Sequence, residues 1–322
     1  MLCRIPVNAQ PYASIDDRVK KIQADAADSL AKKLTSVYKN DKEKTRAIFR
    51  WITENIAYDV EGYHKTETLY EGLWNPNLST NREEIERDYN NKIVQKVLRE
   101  RRAICDGYSR LFKTLCDYSG VRCTIVSGYI RWSSDTIGVM TVRRHAWNAV
   151  FIENSWRLVD ATWASGYCNN EVSVFTKAFD DFFFLTDPVQ LFNDHYPDDK
   201  SWSLLPVTPS LQQFYNFPFY YPSFYRAKIN SVFPITGIID VKNPKRMIAF
   251  DLGVTQPVKS LEIVEYPLAD SLNTIFTEPR EPAYKVENGK VSYSYHVQSD
   301  QTKRIDVYLN YKLILTYGLR IF

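Results

Sequence analysis

Cys105-Asp106-Gly107-Tyr108-Ser109-Arg110-Leu111-Phe112-Lys113-Thr114-Leu115-Cys116 is the stretch on which the fold turns. Tyr108, Leu111, Phe112, Leu115 and Cys116 fall at i, i+3, i+4, i+7 and i+8, the period of a helix with one apolar face. Gly120 is a stop signal behind it, and the segment upstream, Asn91 to Arg102, is polar and helical in character. Cys105 therefore stands where a helix begins. Free amides and the positive end of the helix dipole favour a thiolate there and suit the oxyanion of a tetrahedral intermediate. Gly107 leaves room for close backbone approach. Taken alone, Cys105 reads as a buried structural thiol.

Two more stretches alter that reading. From His145-Ala146-Trp147-Asn148 the chain reads as a strand to Ile152, and Ser155 to Asp160 reads as another, with Glu153-Asn154 as the turn. With a two-residue loop, Ile152 faces Ser155 and Trp147 faces Asp160. His145 and Asp160 then become diagonal neighbours on one face, with Cα atoms about 7–8 Å apart. A four-residue loop keeps them on one face, whereas a three-residue loop turns Asp160 to the other side. A thiol, an imidazole and a carboxylate are the parts of a cysteine nucleophile, its base and the group that orients the base. The alternative is an ordinary hairpin with an exposed histidine and an aspartate at a strand end. Histidines are few: His64, His145, His195 and His296. His195 is the rival base, but Asp194, Pro197 and Asp198 around it read as a turn and make it structural.

Together with Asp160-Ala161-Thr162-Trp163, these stretches resemble the transglutaminase-like superfamily, a branch of papain-like cysteine enzymes with triad order Cys, His, Asp. Thr45 to Ile52 with Ile56-Ala57-Tyr58-Asp59 is similar to the helix before the core in that family, and Val121 to Tyr129 to its first central strand. Phe182 to Pro188, His195-Tyr196-Pro197 and Trp202 to Leu205 resemble the group that contains kyphoscoliosis peptidase and cytokinesis protein 3. The resemblance implies an α+β, papain-like core in which the Cys-bearing helix packs on an antiparallel sheet. It makes Cys105 the nucleophile, His145 the general base and Asp160 its orienter. Trp147, Trp163 and Gly107 would line the substrate site. The chain also departs from the family pattern. Ala103-Ile104 precedes the cysteine, and Asp106 adds a charge that raises a thiol pKa if it turns inward. No side-chain oxyanion donor is evident, with Gln95 a candidate by position only. Asp194, Asp198 and Asp199 lack EF-hand spacing and read as a solvated loop, so no calcium or other metal is expected.

At 322 residues, length suggests two domains. Residues 1–11 form a tail in which Val7-Asn8-Ala9-Gln10 has small residues where a signal peptidase reads. On that pattern an extracytoplasmic location is expected. Residues 12–210 are assigned to the catalytic domain. Within it, one helix is expected from a capping box at Ser14-Ile15-Asp16-Asp17 to about Asn40, and a second from Lys42 to Ile56. Residues 60–91 read as a polar insertion near the Cys helix. Residues 211–225, rich in aromatics and proline, form a linker or packed seam. Residues 226–322 form an all-β, sandwich-like accessory domain. Its strands are expected at Val232-Phe233, Ile235–Val241, Met247–Leu252, Leu261–Val264, Val291–Val297 and Ile305–Leu313.

Composition limits the function classes. Hydrophobic residues are 44% and charged residues 25%, which is globular, and a net charge of +3 with short basic runs gives no nucleic-acid stripe. No apolar run has the length of a membrane span. Five cysteines without a Cys-x-x-Cys pair argue against structural zinc and against glycan release of the peptide N-glycanase type. Cys116 and Cys123 flank the Gly120 turn, either as a disulfide or, more simply, as buried free thiols. The leading expectation is a cofactor-free cysteine acyl-transfer enzyme, a peptidase or amidase acting on a protein or peptide substrate through a thioester. The alternatives are a catalytically silent scaffold that keeps the fold and a cross-linking transglutaminase.

Overall fold

The computed structural model describes residues 12–65, 82–140, 143–169, 171–242, 245–267 and 278–322. The 1–11 tail, with its export signal reading, and residues 66–81 of the expected insertion lie outside the described residues. The expected long N-terminal helix is two helices, α1 (Ala13–Val19) and α2 (Ala27–Thr35). The reason for the break lies on α3 (Asp41–Asn55), whose side chains use the carbonyls between them. Trp51 Nε1 donates to Ile22 O at 2.7 Å, and Asn55 Nδ2 donates to Lys20 O at 3.1 Å. The expected capping box is absent as well: Ser14 lies inside α1, and Asp16 is buried and held by Arg46. Helix α3 starts as expected, with the Asn40 side chain accepting the Glu43 N–H at 2.8 Å.

Helix α4 (Arg82–Glu100) precedes α5 (Cys105–Tyr118), the helix that Cys105 opens. Its buried face is Tyr108, Leu111, Phe112, Leu115 and Cys116, as the spacing requires, and Gly120 ends it in the left-handed region. This face packs on strand β2, within a five-stranded sheet in which four strands run in the order β4-β3-β2-β1. These are β1 (Cys123–Ile130), β2 (Arg144–Ile152), β3 (Ser155–Val159) and β4 (Phe184–Thr186). Pairing of β2 with β3 and of β3 with β4 is antiparallel. Ala146 to Val150 are buried without alternation, which fits a central strand covered on both faces. One apolar core joins Trp51, Phe49, Phe112, Leu115, Trp147, Val150 and Val159.

The chain divides into two compact units, but not at a single boundary near residue 210. The first takes the described residues up to Gly128, then Arg144–Leu191 and Pro197–Leu204. The second takes Tyr129–Arg143, Phe192–Tyr196 and everything from Leu205 onward. The aromatic run 211–225 is internal to this second unit. Phe214 and Tyr215, on α7 (Leu211–Asn216), pack with Phe192 and Tyr196, and Phe224, on α8 (Pro222–Arg226), joins the β core.

Two sheets make that β core. One orders β5 (Phe219–Tyr220), β13 (Lys312–Ile321), β12 (Thr302–Leu309) and β9 (Leu261–Pro267), with β7 (Ile238–Val241) parallel to β13. The other orders β6 (Ser231–Phe233), β8 (Met247–Gly253), β11 (Lys290–His296) and β10 (Tyr284–Glu287). Ile248, Phe250 and Leu252 alternate with exposed or half-buried residues, as do Val291, Tyr293 and Tyr295, and both sets meet Ile305, Val307 and Leu309 in one core. The single strand expected at Ile305–Leu313 is a hairpin. Asn310 and Tyr311 both take positive φ, and Leu309 pairs with Lys312. Among the described residues no helix is long and apolar enough to cross a membrane.

Candidate active site

Cys105 is half-buried at the first position of α5, behind Ile104 in extended conformation, and no side chain caps that helix end. The adjacent Asp106 does not turn toward the thiol. Both its oxygens accept from Arg110 Nε, at 2.9 and 3.0 Å, and Arg110 also pairs with Glu86 at 2.7 Å. Burial pushes the Asp106 carboxyl up, against the pull of Arg110. Gly107 is buried for packing. A Cβ there would stand 2.8 Å from Ala103 Cβ and 3.0 Å from Val97 Cγ2, so the glycine sets the approach of α5 to α4. Gln95 is exposed on α4, on the side away from Val94, Val97 and Leu98.

The hairpin expected between Ile152 and Ser155 forms with a two-residue loop, Glu153 at φ 53° and Asn154 at φ 62°. Its register runs from Ile152 opposite Ser155 to Asn148 opposite Val159, which leaves His145 and Asp160 on one face. His145 Nε2 and Asp160 Oδ2 are 2.8 Å apart, both side chains essentially buried. The other Asp160 oxygen, Oδ1, accepts the N–H groups of Thr162 at 2.8 Å and Trp163 at 3.0 Å, and so caps α6 (Ala161–Ser165). The backbone of Asp160 is fixed too, donating to Phe183 O at 3.0 Å. One carboxylate thus serves both a helix end and an imidazole.

Nε2 being taken by Asp160, Nδ1 is the ring nitrogen left to meet the Cys105 thiol, which is also a hydrogen-bonding partner of His145. Burial opposes charge on the imidazole. The Asp160 carboxylate and its hydrogen bond, with Cys105 on the other side, outweigh it and raise His145 to about 10. His145 thus keeps its proton at neutral pH.

Trp163, half-buried, tilts over His145 with ring centroids 5.8 Å apart, and its other side meets Phe183 edge-on at 5.5 Å. Trp147 stacks on His145 at 6.1 Å but is wholly buried, so it is floor rather than wall. At the head of β2, Arg144 forms a two-pronged ion pair with Asp198, at 2.7 and 2.5 Å. Asp199 caps the turn at Ser201, and Asp194 Oδ1 lies 2.5 Å from His195 Nδ1. All three members of the expected acidic loop are thereby engaged by protein groups. His195 is buried in a short strand rather than a turn. Cys116 and Cys123 are buried free thiols, the simpler of the two readings. A surface hollow lined by Ser29, Lys32, Lys44 and Tyr118 lies at the far end of α5, roughly 20 Å along the helix from Cys105.

Residues 28–161 match the model of the transglutaminase-like superfamily. The chain carries a transglutaminase-like domain. The kyphoscoliosis peptidase of Mus musculus is 32% identical over 254 residues, 77% of this chain and 35% of that protein. Hillarin of Drosophila melanogaster is 28% identical over 210 residues, 61% of this chain and 23% of its own. The chain thus spans about a third of the length of its mouse relative. A crystal structure described as that of a TGase aligns over 49% of this chain and 34% of its own at 17% identity, with a TM-score of 0.27.

Sequence reasoning on the transglutaminase-like domain missed its supports. Arg46 is wholly buried and holds Asp16 through Nε and Nη2, at 2.8 and 2.6 Å, and Asp181 through Nη1. Asp181 opens the short 3-10 turn that carries Phe183, whose carbonyl fixes Asp160 and whose ring backs Trp163. Local pattern gives no signal that pairs Arg46 with a residue 135 positions away. Tyr108 OH, which donates to Ile56 O at 2.8 Å and lies 3.1 Å from Ser165 Oγ, was legible only as a core residue.

Proposed function

We propose that the chain is a cysteine-dependent acyl-transfer enzyme, a peptidase or amidase acting on protein or peptide amide bonds. The observation that carries this reading is the buried His145 ring held by Asp160 through Nε2, with Cys105 as its other partner. A proton resting on His145 leaves the sulfur as the nucleophile. Sulfur attacks the amide carbonyl carbon, and the backbone N–H groups at the start of α5 donate to the developing oxyanion. Collapse breaks the C–N bond, His145 gives its proton to the departing amine, and a thioester to Cys105 remains. Water then attacks the thioester, His145 takes the water's proton, and the carboxylic acid leaves as the thiolate re-forms. Asp160 keeps the ring in one orientation throughout. An amine in place of water would make the same intermediate a cross-link.

The test is site-resolved alkylation of Cys105 by iodoacetamide across pH 6–9, in wild type and His145→Ala. Fast alkylation at pH 6 that falls by roughly a hundredfold in the variant supports the reading. Slow alkylation, unchanged by the substitution, points to the scaffold alternative instead. If the pair proves active, incubation with a glutamine-containing peptide with and without a primary amine separates hydrolysis from transfer.

A further inference from the structure

A carboxylate follows the thiol directly in the chain, Cys105-Asp106, in the first turn of a helix. So close to a sulfur that must carry negative charge, it works against the nucleophile, because like charges disfavour each other's ionised forms. The surroundings of α5 answer that cost. Arg110 stands four residues on, one turn along the same face, and its Nε donates to both Asp106 oxygens at 2.9 and 3.0 Å. Its Nη1 donates to Glu86 at 2.7 Å, which ties the guanidinium to α4 as well as to α5. The guanidinium carbon lies 4.7 Å from the centroid of the Tyr89 ring, also on α4, and Tyr89 OH donates to Asp106 Oδ2 at 3.4 Å. The Arg110 and Asp106 side chains are 13% and 19% exposed against 62% for Glu86, so the pair within α5 is the less screened of the two.

Burial pushes the Asp106 carboxyl up, and the charge and hydrogen bonds of Arg110 pull against it. The other groups acting on that carboxyl are Glu86 and Tyr89, both from α4. On the Cys105 side stand His145 from β2 and Asp160 behind it. A guanidinium fork fixes direction as well as charge, and this one has partners on two helices. We infer that Arg110 is a positioning residue for the nucleophile: it holds the Asp106 carboxylate toward α4 and cancels its charge, so that Cys105 can attack despite its acidic neighbour. Arg110 acts through Asp106, and the inference rests on the acyl-transfer reading of the site it serves.

The experiment is a double-mutant cycle on the full chain, read as the site-resolved rate of Cys105 alkylation by iodoacetamide against pH, with a melting temperature for each variant. Arg110→Gln should slow alkylation at pH 7 by roughly tenfold and move the pH midpoint of the rate up by about one unit. Asp106→Asn should stay within about threefold of wild type, because the charge it removes is already cancelled. Arg110→Gln combined with Asp106→Asn should also return to within about threefold, a rescue that a merely structural arginine would not give. A double variant as slow as Arg110→Gln would overturn the inference, as would an Asp106→Asn that speeds alkylation by roughly tenfold. An Arg110→Gln as fast as wild type would overturn it too, since Asp106 would then need no arginine. If Arg110→Gln does not fold, Arg110→Lys takes its place in the cycle, with a slowing of about threefold that Asp106→Asn removes. His145→Ala, run alongside, separates the two readings. Alkylation unchanged in that variant sinks the acyl-transfer reading, whereas the cycle still reports, because a thiol without a base also reacts as its thiolate.

Discussion

Asp160 spends one oxygen on the α6 amides and the other on His145, and this division explains why the imidazole stays protonated inside the fold. His145, raised to about 10 in the folded chain from an ordinary value of 6.5, binds its proton more tightly folded than unfolded. The stability this contributes is fully present below pH 6.5 and is lost as pH rises from 6.5 toward 10. Asp160→Asn removes the charge that outweighs burial, so His145 should titrate lower and that loss should shrink. Urea midpoints at pH 6.5 and 9.5 should therefore differ more in wild type than in Asp160→Asn. Equal differences would refute the electrostatic account. At this scale the sequence was legible where chemistry is local. Local context marks Cys105 as a helix start and sets His145 against Asp160, while the packing of Gly107 between α5 and α4 depends on a contact with another helix.

Between elements, the support of the site depends on ion pairs that no periodicity encodes. Arg46 joins α3 to α1 through Asp16 and to the 180–184 segment through Asp181, under the rings of Tyr12 and Phe184 at 4.7 and 4.8 Å. Arg46→Met keeps most of the volume but leaves the buried Asp16 carboxylate only the longer 3.8 Å pairing with Arg50 Nε, and should lower unfolding free energy by about 3 kcal/mol in urea titration. A loss near zero would show that Arg50 alone satisfies Asp16. The hairpin β2–β3 was legible because a two-residue turn fixes register by itself. The break between α1 and α2 was not, because the carbonyls it frees are taken by Trp51 and Asn55 of another helix.

Across the whole molecule, two cores are built from one chain that crosses between them more than once. Phe250 is buried in the second core, stacked on Tyr293 at 4.9 Å. Phe250→Ala should cost about 3–5 kcal/mol. Because the 129–143 arm belongs to the second unit, trypsin in mild urea should then cut at Arg131 and Arg143 sooner than within α5. Cleavage in the opposite order would place the arm's stability in the first unit.

By itself the sequence determined the elements whose rules are short-range: a helix opened by Cys105, a hairpin that sets His145 against Asp160, and alternating strands after residue 230. These follow from spacing and turn chemistry, which act over a few residues. Tertiary structure alone decided the carboxylate pairing of Arg46, the turning of Asp106 toward Arg110, and the capture of residues 129–143 and 192–196 by the second unit. Burial and charge pairing are properties of what the chain brings together from far apart, and they have no local period to read.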